Sequence, residues 1–163
     1  MLICGIDPGA NGYAVSTDDN LEVVDYLPLP KLSTVNFNGN SDIKSFRSKS
    51  KKVRKLIRSS DLVVLEKVHS MPKQGVASVF SFGMSYGMIL SMCSEYSKNL
   101  TLVAPATWQS GLKKIFPSDL KSKAFSKNLF TNEFKDVALD FNKVSKDFID
   151  AFLMTVWYRT IVV

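Results

Sequence analysis

The chain predicts an α/β protein built on one mixed five-stranded sheet with helices on its faces, and two observations carry that expectation. Three apolar, strand-length segments at about 2–7, 12–17 and 21–27 succeed one another through short connections, so they form an antiparallel meander. Two further strand-length segments, at about 61–66 and 100–104, are each preceded by a helical stretch, and strands separated by helices run parallel.

Each element has a local reason. Residues 2–6 are an apolar run closed by Asp7, and Pro8, which lacks the ladder N–H, ends the strand. Gly9 and Gly12 are expected to supply the positive φ of a tight connection into the second strand. After the third strand a polar loop runs to about 40. A helix follows at about 41–59, with Ile43, Phe46, Val53, Leu56 and Ile57 as its apolar stripe. Residues 61–66 are apolar and β-branched, end in Glu66, and read as a buried strand by length and flanks. A loop to 75, a long helix at about 76–97 and the fifth strand come next. Short helices are expected at about 105–116 and 118–135, and a last helix from about 144 with Ser145 as its N-cap.

Composition narrows the class. With 163 residues and 45% hydrophobic content, the chain can bury one sizeable core, and no Gly/Ser- or Pro-rich linker divides it, so residues 1–163 read as one domain. No stretch reads as a signal peptide or a bilayer span, which implies a cytoplasmic protein. Cys4 and Cys93 lack metal-site spacing and read as small core hydrophobes. Lysine outnumbers arginine, and Asn, Ser and Phe are abundant, as in proteins of low-GC bacteria and their phages.

The net charge of +6 makes the acidic residues at the strand ends informative. A basic protein that binds a polyanion removes acids from its binding face unless divalent cations stand between carboxylate and phosphate. Asp7 and Glu66 close two strands and sit at the rim of the sheet, although Asp7 also fits a turn cap. Asp147 and Asp150, three apart on a helix, project their carboxylates to one side about 5–6 Å apart at Cβ. Their mutual repulsion becomes useful when a cation bridges them, while acids in a first helical turn are also favoured by the helix dipole alone.

The ordered set of GIDPG with Gly12 three residues on, an apolar strand ending in Glu66, and Asp147-x-x-Asp150 followed by Ala151 resembles the RuvC-type Holliday junction resolvases of the ribonuclease H-like superfamily. The resemblance spans essentially the whole chain. It implies a ribonuclease H-like fold and a metal-dependent endonuclease that nicks branched DNA, resolving four-way junctions by paired symmetric incisions. Asp7, Glu66, Asp147 and Asp150 would be the catalytic, metal-binding acids, holding two Mg²⁺ about 3.5–4 Å apart, with Mn²⁺ able to substitute. One departure stands out: the family often places an aromatic residue three positions after the central Glu, where this chain has His69, with Phe80 and Phe82 further on.

Two stretches are candidates for DNA contact. The resemblance favours Lys113, Lys114, Lys121 and Lys123, and His69 is a further candidate. The basic stretch 44–58 reads first as a solvated helix face, and Trp108 as a packing residue. In the long helix, Ser81, Gly83, Ser85, Gly87 and Ser91 alternate with large apolar residues, as close packing within the domain or between copies requires; the resemblance implies a homodimer there. Other readings are a ribonuclease H-like nuclease acting on RNA–DNA hybrids, flaps or forks, and a noncatalytic branched-DNA binding protein. A sugar-kinase or actin-type ATPase needs a duplicated domain that this length excludes.

Overall fold

Strands β1 (Ile3–Asp7), β2 (Tyr13–Thr17), β3 (Val23–Pro28), β4 (Leu62–Glu66) and β5 (Leu100–Val103) form one sheet in the order β3-β2-β1-β4-β5. The computed structural model describes residues 1–9, 11–31, 40–70, 75–137 and 144–163, except for the side chains of Asn40, Ser41, Ser122 and Lys123. As expected, β1–β2 and β2–β3 pair antiparallel, and β1–β4 and β4–β5 pair parallel. The polar loop at 32–39 and part of the loop before 75 lie outside the described residues.

Helices α1 (Asn40–Ser59), α2 (Val76–Tyr96), α3 (Pro105–Ile115), α4 (Ser122–Glu133) and α5 (Lys146–Trp157) complete the order. The core divides by face. On one, Ile3, Leu62 and Val64 meet Trp108, Leu112, Phe130 and most of α5. On the other, Cys4, Ile6, Val63 and Leu65 meet Val53 and Ile57 of α1 and Ile89 and Cys93 of α2. This is the period-2 alternation of a sheet buried on both sides. Burial pushes the Cys4 thiol far above its ordinary range and the Cys93 thiol to about 12, as suits inert core cysteines.

Four expectations need correction. No described glycine has a positive φ. Gly12 is required by space instead, since a Cβ there would lie 2.4 Å from the Asp7 carbonyl oxygen. The third strand begins at Val23 and not at 21, because Leu21 takes φ 64 in a turn held by Asp18, whose Oδ1 accepts from the Asn20 and Glu22 amides. Helix α4 starts at Ser122, not 118, since the Ser118 hydroxyl accepts from the Leu120 amide and the Leu120 carbonyl from Lys113 Nζ, which keeps this stretch out of helix. Finally, α2, with 21 residues and an 18-residue stretch of mean hydropathy 1.5, is long and apolar enough to cross a membrane by length and composition. Ile89, Met92 and Cys93 nevertheless anchor its C-terminal half in the core.

Candidate active site

Asp7 and Glu66 end adjacent parallel strands. Ile6 pairs with Leu65, so the two acids stand side by side one residue further on. Alternation then decides which way they face. Asp7 follows Ile3 and Gly5 on one side of β1, and Glu66 follows Leu62 and Val64 on the same side of β4, toward α5.

Helix α5 reaches them because β1 has no side chain at Gly5. A Cβ there would fall 1.9 Å from the Ala151 carbonyl oxygen and 3.0 Å from Thr155 Cγ2, so helix and strand touch backbone to backbone. The helix begins where Ser145 Oγ accepts from the Phe148 amide at 3.1 Å, a cap worth about 1 kcal/mol. Asp147 and Asp150 thus lie in the first turn and a half, beside the ends of β1 and β4.

The result is a cleft of about 300 Å³ lined by Asp7, Glu66, Asp147 and Asp150, with Lys146, Phe82 and Gln109 also on its wall. Each acid has a protein donor. Asp7 Oδ1 accepts from the Gly9 amide at 2.9 Å, and Asp147 Oδ2 accepts from the Asn11 amide at 3.2 Å. Glu66 Oε1 accepts from Trp108 Nε1 at 2.9 Å, and Asp150 Oδ2 pairs with Lys146. Burial, and after it the charge on Glu66, pushes the Asp7 carboxyl up to about 8. Burial also raises Glu66, with the Trp108 hydrogen bond working against it.

The donor set suits a hard divalent cation, being all carboxylate oxygen. Asp150 Oδ1 is buried and has no hydrogen-bond partner among the described residues, so it is an acceptor that the protein leaves unsatisfied. As the side chains stand, no three His, Cys, Asp or Glu residues among those described are gathered tightly enough to hold one ion.

The other candidates are spread out. None of Lys113, Lys114 and Lys121 lines the acid cleft. Lys113 Nζ donates to the Leu120 carbonyl at 2.6 Å and lies over the Phe125 ring, whereas Lys114 and Lys121 are exposed. The Lys123 side chain lies outside the described residues. His69 is exposed, with no role visible in its surroundings. The basic residues of α1 are solvent-facing, and Arg54 and Arg58 stack on Tyr96. Sequence reasoning placed Trp108 in the packing, where it is, but missed its hydrogen bond to Glu66; the available signal was an indole donor at the start of the helix that follows β5.

Neither a protein-family model nor a curated protein sequence matches the chain. Solved structures do. Thermus thermophilus RuvC in complex with a Holliday junction substrate superposes with TM-score 0.60 at 13% identity, covering 97% of this chain and 94% of that one. The fold is that of RuvC. A second structure of Thermus thermophilus RuvC gives TM-score 0.59 at 12% identity over 97% of this chain and 95% of that one. The yeast mitochondrial Holliday junction resolvase Ydc2 gives 0.52 at 12%, over 96% of this chain and 77% of that one. The RuvC likeness runs across the whole five-stranded sheet and its helices, as the motif order implied.

Proposed function

We propose that the protein is a metal-dependent endonuclease that resolves four-way DNA junctions by paired incisions in the cytoplasm. The observation that carries this reading is the convergence of Asp7, Glu66, Asp147 and Asp150 from three separate elements into one cleft of a RuvC fold. One structure with that fold, Thermus thermophilus RuvC, holds a Holliday junction substrate.

Mg²⁺, with Mn²⁺ as a substitute, would be held by Asp7, Glu66, Asp147 and Asp150 as a pair of ions, activating a water for in-line attack and stabilising the leaving 3′ oxygen. The chain supplies the rest. Trp108 fixes the rotamer of Glu66, and the turn amides of Gly9 and Asn11 orient Asp7 and Asp147. Phe82, on the cleft wall, would be the aromatic residue available to help open the junction, a task the family assigns to an aromatic at the position of His69. Lys113, Lys114, Lys121 and Lys123, with His69, would contact phosphates of the junction arms, outside the cleft that cuts.

Two symmetric nicks call for a two-fold assembly. Helix α2 offers the surface: Val76 is 87% exposed, Phe80 66% and Met84 43%, and at Gly83 and Gly87 a Cβ would meet nothing. A homodimer through this face covers apolar surface that the monomer leaves in water.

The test is incubation of the protein with labelled four-way, three-way, flap, linear and RNA–DNA hybrid substrates, in Mg²⁺ and in chelator. Cation-dependent cutting confined to four-way junctions is expected. Preference for hybrids or flaps would move the substrate to another ribonuclease H-like class. Tight junction binding without cutting would favour a noncatalytic binder, for which the loose placement of the acids is the supporting observation.

A further inference from the structure

Lys146 is in an unfavourable place for a lysine. It is the first residue of α5, where the helix dipole presents its positive end. Its partner Asp150 lies four residues later, and a basic residue ahead of its acid is the poorer of the two orders for such a helical pair. The lysine side chain is 48% exposed while that of Asp150 is 4% exposed, so the pair serves the buried carboxylate and adds little to the helix itself. Helix formation alone does not account for this residue.

The surrounding charges do. Lys146 lines the same cleft as Asp7, Glu66, Asp147 and Asp150, and among the described residues it is the cationic side chain on that wall. It holds Asp150 Oδ2, while Oδ1 of the same buried carboxylate has no hydrogen-bond partner among the described residues. Asp150 itself is only 3% exposed, so it depends on a counter-charge close by. An ammonium on a flexible four-carbon stem, half in solvent, can supply that charge and can also leave.

We propose that Lys146 is a built-in counter-cation that occupies Asp150 until a divalent ion displaces it, and so sets how tightly the acid cluster takes its metal. This rests on the reading of the four acids as a cation site. Displacement breaks the ion pair between Lys146 Nζ and Asp150 Oδ2 and returns the carboxylate to the metal, and the ammonium swings to the solvent side. Lys146 is therefore a positioning residue for Asp150. The divalent-ion requirement of the protein is raised by this competition, and the acid cluster is kept from expanding under its own repulsion when no ion is bound.

The experiment compares wild type, Lys146→Met and Lys146→Arg by calorimetric titration with Ca²⁺ and Mn²⁺, and by thermal unfolding with and without saturating Ca²⁺. Lys146→Met should bind the ion about tenfold more tightly, the scale of one lost competing charge-assisted hydrogen bond, and Lys146→Arg should stay near wild type. Without the ion Lys146→Met should melt below wild type, and saturating Ca²⁺ should close that gap. Equal or weaker ion affinity in Lys146→Met, or a melting gap unchanged by Ca²⁺, would overturn the proposal. An absence of ion binding in all three proteins would overturn the cation site itself. Ion binding that responds to Lys146 in a protein that cuts no DNA would uphold this inference and remove the nuclease reading.

Discussion

Helices α5 and α2 are both strongly apolar, yet the protein uses them in opposite ways. In α5, ten of twelve residues are buried, from Phe148 to Trp157, and the helix lies against β1 and β2. In α2, only Ile89, Met92 and Cys93 of 21 residues are buried, and the N-terminal half extends past the core. The difference lies in what the sheet presents. Gly5 opens a groove that admits the α5 backbone, whereas α2 meets the other face only at its C-terminal end. Apolar composition therefore states that a helix needs covering but does not say by what. Helix α5 is covered by the chain's own sheet and brings two acids with it. Helix α2 is left with an exposed apolar face, the one proposed to meet a second copy.

The largest effects should come from the two acids that α5 delivers and the two strand-end acids they join. Asp7→Asn, Glu66→Gln, Asp147→Asn and Asp150→Asn should each reduce Mg²⁺-dependent junction cutting to background while leaving junction binding intact in gel-shift measurements. A variant that cuts at the wild-type rate would remove its residue from the site.

Stability should separate the two helices. Phe152 is fully buried and meets Phe130 and Phe134 edge-on at 5.3 and 5.4 Å, so Phe152→Ala should cost about 3–5 kcal/mol in denaturant unfolding. Phe80→Ala should change the stability of a monomer by no more than about 0.5 kcal/mol. In solution-mass measurements at micromolar concentration the free protein should be a dimer, and replacing Gly87 or Ser91 with Glu should give a monomer whose paired nicking of cruciform plasmid falls more than its single nicking. A monomeric wild type, or one that sediments with lipid vesicles, would assign the α2 face to another partner.

A smaller effect is expected at the edge of the site. Trp108→Phe keeps a smaller aromatic ring in the packing but leaves Glu66 Oε1 without its donor, and should lower cleavage about 10–100-fold with junction affinity unchanged.

The acid corner should also shape stability against pH. Asp7 in the folded protein holds its proton up to about pH 8, whereas in the unfolded chain it ionises near roughly 3.9. Between these values the folded state binds the additional proton, so this group's contribution to stability falls as pH rises. In chelator the protein should melt higher at about pH 5 than at about pH 8, and Asp7→Asn should reduce that difference. An identical pH profile in the variant would show that Asp7 ionises normally. The smallest change expected is in salt dependence, where each of Lys114→Ala and Lys121→Ala should lower the slope of log K against log[salt] by about 0.9.

Local chemistry alone determined much of this molecule. The five strands, the antiparallel-then-parallel order and the acids at the ends of β1 and β4 are visible in the sequence, because strand patterning, Pro8 and short connections act over a few residues. The spacing of Asp147 and Asp150 behind the Ser145 cap is equally local. Only the tertiary structure decided that these acids share one cleft, since that depends on the backbone contact of Gly5 with Ala151, residues far apart in the chain. It alone also joined Trp108 to Glu66 across 42 positions and separated Lys113, Lys114 and Lys121 from the acid cleft. The pairing of Lys146 with Asp150 has a visible i, i+4 spacing, but its meaning depends on Asp7 and Glu66 arriving beside it. Propensity and periodicity are short-range and specify elements; which side chains meet is settled by how closely a helix can approach a sheet, and here a missing Cβ on β1 sets that distance.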